Sequence, residues 1–277
     1  MTAARLLVRC PNRRGIIAAI SNFILDRGGD IRECSQYASG PTFFQRTVFA
    51  TPALDEQLER DFQRDVAERF GMQWWLTDPS RPKRVAILVS RYDHCLLDLL
   101  WRSRRGELPI DVGVVVSNHP DLADAVAGFG IPYEHVPVTP ETKPQAEQRQ
   151  LELVRGRYDL IVLARYMQVL SPGFLDAVGI PLINIHHSFL PSFAGANPYQ
   201  RARERGVKLI GATAHYVTEE LDEGPIIEQG IVRVTHRDEA DELARRGADV
   251  ERTVLARAVG WHCEDRVLRD GRTTVVL

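Results

Sequence analysis

The sequence predicts an α/β chain in two parts. A ferredoxin-like βαββαβ domain spans residues 1–77, and a mostly parallel, doubly wound sheet spans residues 84–277. Three observations predict this. The N-terminal residues run through strand-like and helix-like hydrophobic patterns in the order β-α-β-β-α-β. A polar, proline-bearing stretch, DPSRPK at 78–83, reads as the linker. Beyond it, apolar runs of strand length alternate with amphipathic segments of helix length, as parallel strands covered on both faces require.

Each element has its own pattern. ARLLVRC at 4–10 reads as a strand, and PNRRG as a turn into a helix whose Ile16, Ile17, Ile20, Phe23 and Ile24 keep helical spacing. Gly28 and Gly29 end that helix. DIRECSQYA and FFQRTVFA flank a Gly40-Pro41 turn as two strands. Leu54, Leu58, Phe62, Val66 and Phe70 mark a second helix before the strand MQWWLTD. In the second part, RVAILVS precedes a helix from Asp93 to Arg105, and IDVGVVVSN precedes one from about Asp121 to Gly128. PYEHVPV leads to a helix from Lys143 to Arg155, and YDLIVLARYM to a short helix near Pro172. PLINIHH follows, then the longer strands KLIGATAHYV and PIIEQGIVRV, and a helix from Asp238 to about Trp261. The closing RVLRDGRTTVVL reads as a hairpin turning at Asp270-Gly271.

Composition narrows the function. The chain has 277 residues, 44% hydrophobic and 26% charged, the balance of an ordinary soluble protein with room for two cores. A net charge of −2 gives no reason to expect nucleic acid or an anionic membrane as partner. No apolar run approaches the roughly 18 residues of a membrane span, and the N-terminus lacks a signal-peptide core. Cys10, Cys34, Cys95 and Cys263 are scattered, without a CxxC pair, and read as reduced thiols of a cytoplasmic protein.

The chemistry concentrates in NIHHSFLP, Asn184 to Pro191, and GATAHYVTEELDEGPII, Gly211 to Ile227. Asn184 and His186 stand two apart at the end of an apolar run, so a strand turns both to one face. Ser188 and Pro191 break the strand and place the pair at its carboxyl end, where open α/β sheets bind ligands. Asp222, in a Gly-flanked loop, supplies a carboxylate that can fold back over them. Amide, imidazole and carboxylate suit acyl transfer to water or an amine: an oxyanion needs donors and a proton needs a carrier.

The same residues admit other readings. Asn184 and His186 could simply cap a strand end, as buried polar pairs often do. His186, His187, His215 and Asp222 could hold a metal, but they lack the spacing of a catalytic zinc set. Moreover, His186 and His187, being adjacent, are expected on opposite faces of a strand. We therefore expect no metal, and a structural part for His187. Ser188 has no GxSxG elbow and the stretch contains no thiol, which disfavours a covalent nucleophile. Neither a GxGxxG nor a P-loop is present.

These motifs resemble the formyltetrahydrofolate-dependent formyltransferase family. The resemblance implies catalytic roles for Asn184, His186 and Asp222. LARYMQVLSP resembles the family's folate-binding segment, which implies a pterin site formed by Met167, Gln168, Val169 and Leu170 with the loop of Val217 and Leu221. Within the family, the closer likeness is to the formyltetrahydrofolate deformylases. The second histidine of NIHHSF stands where the transferases typically have proline, and VPVTPETK and GANPYQRARERGVKLIGATAHYV look like deformylase segments. CPNRRGIIAAI resembles the opening of an ACT domain, although an acidic residue commonly follows Cys-Pro there, and FFQR replaces the common FFMR. An ACT-like domain followed by a formyltransferase-like domain is thus implied.

The resemblance implies hydrolysis of 10-formyltetrahydrofolate to formate and tetrahydrofolate, supplying formate for purine synthesis and balancing one-carbon folate pools. Folate is then substrate, and no cofactor is required. A homo-oligomer is implied, with a free amino acid, methionine or glycine first, as effector of the ACT-like domain. One physical argument independently favours water as acceptor. A ribonucleotide acceptor needs a glycine-rich phosphate cradle, and the first strand of the second domain runs instead into SRYDHC, bulky and carrying Asp93. Asp222 would orient a water or take its proton, while His186, its charged form favoured by Asp222, and Asn184 would hold the oxyanion. Formyl transfer to an unphosphorylated amine, and a binding protein without activity, remain as alternatives.

Overall fold

The computed structural model describes residues 1–191 and 198–277. The chain divides into one unit of Met1–Pro82 with Glu264–Leu277 and a second of Lys83–Cys263. The first unit follows the expected order: β1 Thr2–Pro11, α1 Ile16–Asp26, β2 Asp30–Ser39, β3 Thr42–Thr51, α2 Glu56–Phe62, a π-helical turn at Gln63–Ala67, α3 Glu68–Phe70, and β4 Gln73–Thr77. The sheet runs β2-β3-β1-β4, all antiparallel. Gly15, at φ 91°, opens α1, and the Asp55 carboxylate accepts from Leu58 N–H at 2.9 Å to cap α2. The helical stripe Ile16, Ile20, Phe23 and Ile24 packs with Leu6, Val8, Phe49, Phe62 and Phe70 into one core. Each such fully buried side chain contributes about 1.5–3 kcal/mol.

The second unit begins with β5 Lys83–Val89 and α4 His94–Arg104, then β6 Ile110–Ser117, α5 Ala123–Ala127 and β7 Tyr133–His135. It continues with α6 Lys143–Val154, β8 Leu160–Leu163, α7 Pro172–Val178, β9 Leu182–His186, α8 Pro198–Glu204, β10 Leu209–Tyr216, β11 Ile226–Arg233 and α9 Ala240–Cys263. Among the described residues its sheet has seven strands in the order β11-β10-β9-β8-β5-β6-β7. Strands β5 to β9 pair in parallel, and β10 and β11 add antiparallel at one edge. The buried runs VAILV and LIVL sit in the middle, as strands covered on both faces must. Helix α5 is shorter than expected, because Pro120 starts a turn in which Ala123 N–H donates to the Pro120 carbonyl. Helix α8 carried no helical expectation at all.

One boundary needs correction. The closing hairpin, β12 Val267–Asp270 and β13 Thr273–Val276, was expected within the second domain at 84–277; it belongs to the first unit. Leu268, Val275 and Leu277 cover Leu7 and Phe44 on the sheet face opposite the helices. The Asp265 carboxylate accepts from Arg5 at 2.9 Å and Thr77 at 2.7 Å, and Arg46 donates to the Glu264 carbonyl. An apolar sheet face must be covered by something, and the chain's last residues cover this one.

Candidate active site

The strand order reverses at β5: the chain steps outward to β6 and β7, then crosses to β8 and β9 on the other side. Such a reversal opens a crevice beyond the carboxyl ends of the flanking strands. A cavity of about 710 Å³ lies there, and its walls include all nine residues singled out from the sequence.

Asn184 and His186 project together from the end of β9, and β10 pairs beside them with His215 opposite Asn184. The His215 ring is fixed at both nitrogens. Nδ1–H donates to the Tyr216 carbonyl at 3.0 Å, so Nε2 accepts from the Asn184 amide at 3.2 Å. Burial lowers the His215 pKa and keeps the ring neutral, as this pattern needs. Asp222 completes the group: its carboxylate lies 3.3 Å from His186 Nδ1 and 3.7 Å from His215 Nε2. The hydrogen bond from His186 holds the Asp222 pKa below its ordinary value, against the opposing effect of burial. His186 Nε2 is sealed from water and has no hydrogen-bond partner among the described residues.

The backbone explains how Asp222 arrives. At Gly224 the loop passes so close to β10 that a Cβ would collide with the Tyr216 carbonyl, while Tyr216 N–H donates to the Pro225 carbonyl. Asp222 itself sits at φ 59°, a left-handed conformation that costs most residues roughly 1 kcal/mol or more and that Asp tolerates better. The DEG sequence is what lets a carboxylate lie over two imidazoles.

The apolar wall comes from 167–170 and 217–221. Met167, Val169 and Leu221 are each more than half exposed although large and apolar, which suits the face of a planar ring. This wall is braced from behind. Met167 N–H donates to the Ser90 hydroxyl, which donates to Asn118. On α6, Glu147 accepts from the backbone N–H and the hydroxyl of Ser171, and one turn later Gln150 donates to Tyr166 at 2.7 Å.

A second polar group in the same cavity was missed from the sequence. Glu251 on α9 is buried and gathers His94 Nε2 at 2.8 Å, the Tyr199 hydroxyl at 2.7 Å and Arg165 at 3.3 Å. Arg165, itself at φ 62°, lies over the Tyr92 ring at 4.7 Å. His187 requires a correction too. Its ring does not turn to the opposite face from His186. Strand β9 ends at His186, so strict alternation stops there, and the two rings lie 5.2 Å apart on one cavity. Only the alternation in GATAHYV, which sets Thr213 and His215 on one face, could have marked His215.

The four residues set aside as metal ligands from their spacing do not fit an ion by geometry either. His215 spends both nitrogens on Asn184 and Tyr216, which leaves none for an ion. Among the described residues, the donor atoms close enough for an ion belong instead to His94, Cys95 and Glu251. There burial raises the Cys95 thiol well above its ordinary pKa, and the Arg165 guanidinium already faces the carboxylate. That chemistry is a buried ion-pair network.

Residues 83–259 match the formyl transferase family model. A formyltetrahydrofolate deformylase of Mycobacterium bovis is 60% identical over 98% of this chain and 90% of its own length. One of Bacillus subtilis is 50% identical over 98% and 93%. The chain belongs to the formyltetrahydrofolate deformylases. The solved structure of a formyltetrahydrofolate deformylase from Pseudomonas syringae superposes with a TM-score of 0.96 at 48% identity, covering 100% of this chain and 95% of that one. The likeness to deformylases therefore extends over both units, and all nine site residues lie in the segment matched by the formyl transferase model.

Proposed function

We propose that the chain hydrolyses 10-formyltetrahydrofolate to formate and tetrahydrofolate, with Asn184, His186 and Asp222 as its reacting groups. The convergence of those three side chains beside an apolar, braced wall carries this reading. The pterin lies against Met167, Gln168, Val169, Leu170, Val217 and Leu221, which brings the formyl group to the polar end. Asn184 spends one amide N–H on His215 and offers the other to the oxyanion, with the His186 ring, held at Nδ1 by Asp222, beside it. Asp222, kept ionised by His186, fixes that imidazole and orients the attacking water. Folate is substrate, and no metal or further cofactor takes part.

Water is the acceptor because the turn after β5 is occupied. The Ser90 hydroxyl is bonded to Asn118 and to Met167 N–H, Tyr92 carries Arg165, and no residue from Ser90 to Cys95 is glycine, so a phosphate would meet side chains there. Purified protein with 10-formyltetrahydrofolate and no amine should release formate and tetrahydrofolate in equal amounts, in the presence of EDTA as well. Formyl transfer only on addition of an amine would overturn the reading.

The setting is a proposal on the same footing. We place the protein in the cytoplasm, where its four cysteines would stay reduced, and assign it the supply of formate to purine synthesis and the balance of one-carbon folates. In the first unit, β2 is an edge strand exposed along most of its length, a surface that pairing between copies would cover. A homo-oligomer responding to a free amino acid, methionine or glycine first, follows. Hydrolysis by the full chain with each amino acid added, alongside its mass in solution, tests both.

A further inference from the structure

Four imidazoles line the cavity, those of His94, His186, His187 and His215. Three are committed. His94 holds Glu251 through Nε2, His186 faces Asp222 through Nδ1 with Nε2 sealed, and His215 is bonded at both nitrogens. Among the described residues, His187 alone of the four has neither nitrogen in a hydrogen bond or ion pair; its contacts are the rings of His186 at 5.2 Å and Tyr199 at 6.3 Å.

Its place is nonetheless built. The Thr213 hydroxyl donates to the Ser188 carbonyl and accepts from Leu190 N–H, both at 3.0 Å, so the turn just after His187 is clasped to β10. Tyr199, beside the ring, is tied to Glu251. An imidazole so firmly positioned, beside the reacting groups and with both nitrogens unspent, has a task waiting for it.

We propose that His187 holds the attacking water and accepts its proton, a role that rests on hydrolysis of the formyl group in this cavity. The water oxygen bonds to the formyl carbon while one water proton passes to a His187 nitrogen and the carbonyl electron pair moves onto oxygen. The oxyanion then re-forms the carbonyl, the carbon–nitrogen bond breaks, and the proton from His187 goes to the leaving nitrogen. The other water proton leaves as formic acid ionises to formate. Burial first, and then Arg165 and His186, lower the His187 pKa to about 4, so the ring enters each cycle neutral with a lone pair to offer.

The test compares two nucleophiles in the full-length protein. Hydroxylamine attacks through a neutral nitrogen lone pair and needs no base to generate it; water does. His187→Ala should lose ~10²-fold or more of its hydrolytic kcat, keep its KM for 10-formyltetrahydrofolate, and still form formohydroxamate from hydroxylamine at a rate near that of the parent protein. His187→Gln, which keeps polarity and bulk, should show the same split. Added imidazole should restore part of the hydrolysis to the alanine variant. Hydrolysis near the parental rate in either variant, or equal loss with both nucleophiles, would overturn the assignment. If the parent protein itself releases no formate, the hydrolytic reading fails, and this assignment falls with it for that separate reason.

Discussion

Tyr199 lies across helix α9 at Gly247, and its hydroxyl reaches Glu251 one turn further along the same face. A Cβ on Gly247 would stand inside the tyrosine's hydroxyl end. A glycine in mid-helix costs about 1 kcal/mol relative to alanine. Here it makes room for the ring that neighbours His187. Gly247→Ala should therefore lower hydrolysis about tenfold or more without raising the melting temperature, despite alanine's better helix propensity. A variant both more stable and fully active would show that Tyr199 can sit elsewhere at no cost.

Removing the charge from Asp222 leaves the loop, held at Gly224, in place. Asp222→Asn should bind folate as before and lose ~10²-fold or more in kcat, since it removes the carboxylate that fixes the His186 ring and orients the water. Near-parental turnover would assign the carboxylate another role. Asn184→Ala should cost about 10²–10³-fold in kcat, the usual loss for one oxyanion donor. A change confined to KM would instead mark Asn184 as a substrate-positioning group.

Glu147 and Gln150 brace the apolar wall from α6 and touch no reacting atom in the proposed mechanism. Glu147→Ala and Gln150→Leu should each raise KM for the folate about tenfold and leave kcat within about threefold, as loosening a binding wall predicts. Steady-state kinetics on folded protein decides this. A fall in kcat with KM unchanged would show that the brace serves the reacting groups.

Burial lowers the pKa of His187 to about 4, and that of His215 also falls below the ordinary value near 6.5. The unfolded chain therefore binds more protons than the folded one as pH drops below 6.5. Stability from these two rings is complete above that value and is lost as pH falls toward 4. The urea midpoint should be flat from pH 8 to 7 and decline between 6.5 and 4. His187→Gln should decline less steeply over that interval, and an unchanged slope would remove His187 from the account.

Much of this was legible in the sequence because the signals were local. Hydrophobic period separates strands from helices, and a spacing of two placed Asn184 and His186 on one face. Gly224 announced a loop close enough to deliver Asp222. What was not legible depends on partners far along the chain. Glu251 reads as one of many charges on an amphipathic helix until His94, Arg165 and Tyr199 surround it. His187 misled because alternation holds only while a strand lasts, and β9 stops one residue before it. The closing hairpin was recognisable as a hairpin, but nothing local said which apolar face it covers.

That hairpin bears on how the protein is made. Leu7 and Phe44 are synthesised early, yet Leu268, Val275 and Leu277, which cover them, are made only after the whole of the second unit. The usual vectorial order, N-terminal domain first, is thereby inverted. The second unit, continuous from Lys83 to Cys263, can complete its sheet during synthesis, while the first waits with one apolar face open until Leu268, Val275 and Leu277 are made. A nascent chain whose second unit has emerged but whose closing hairpin has not would carry a finished second unit and an unfinished first one, the state in which a chaperone has most to hold.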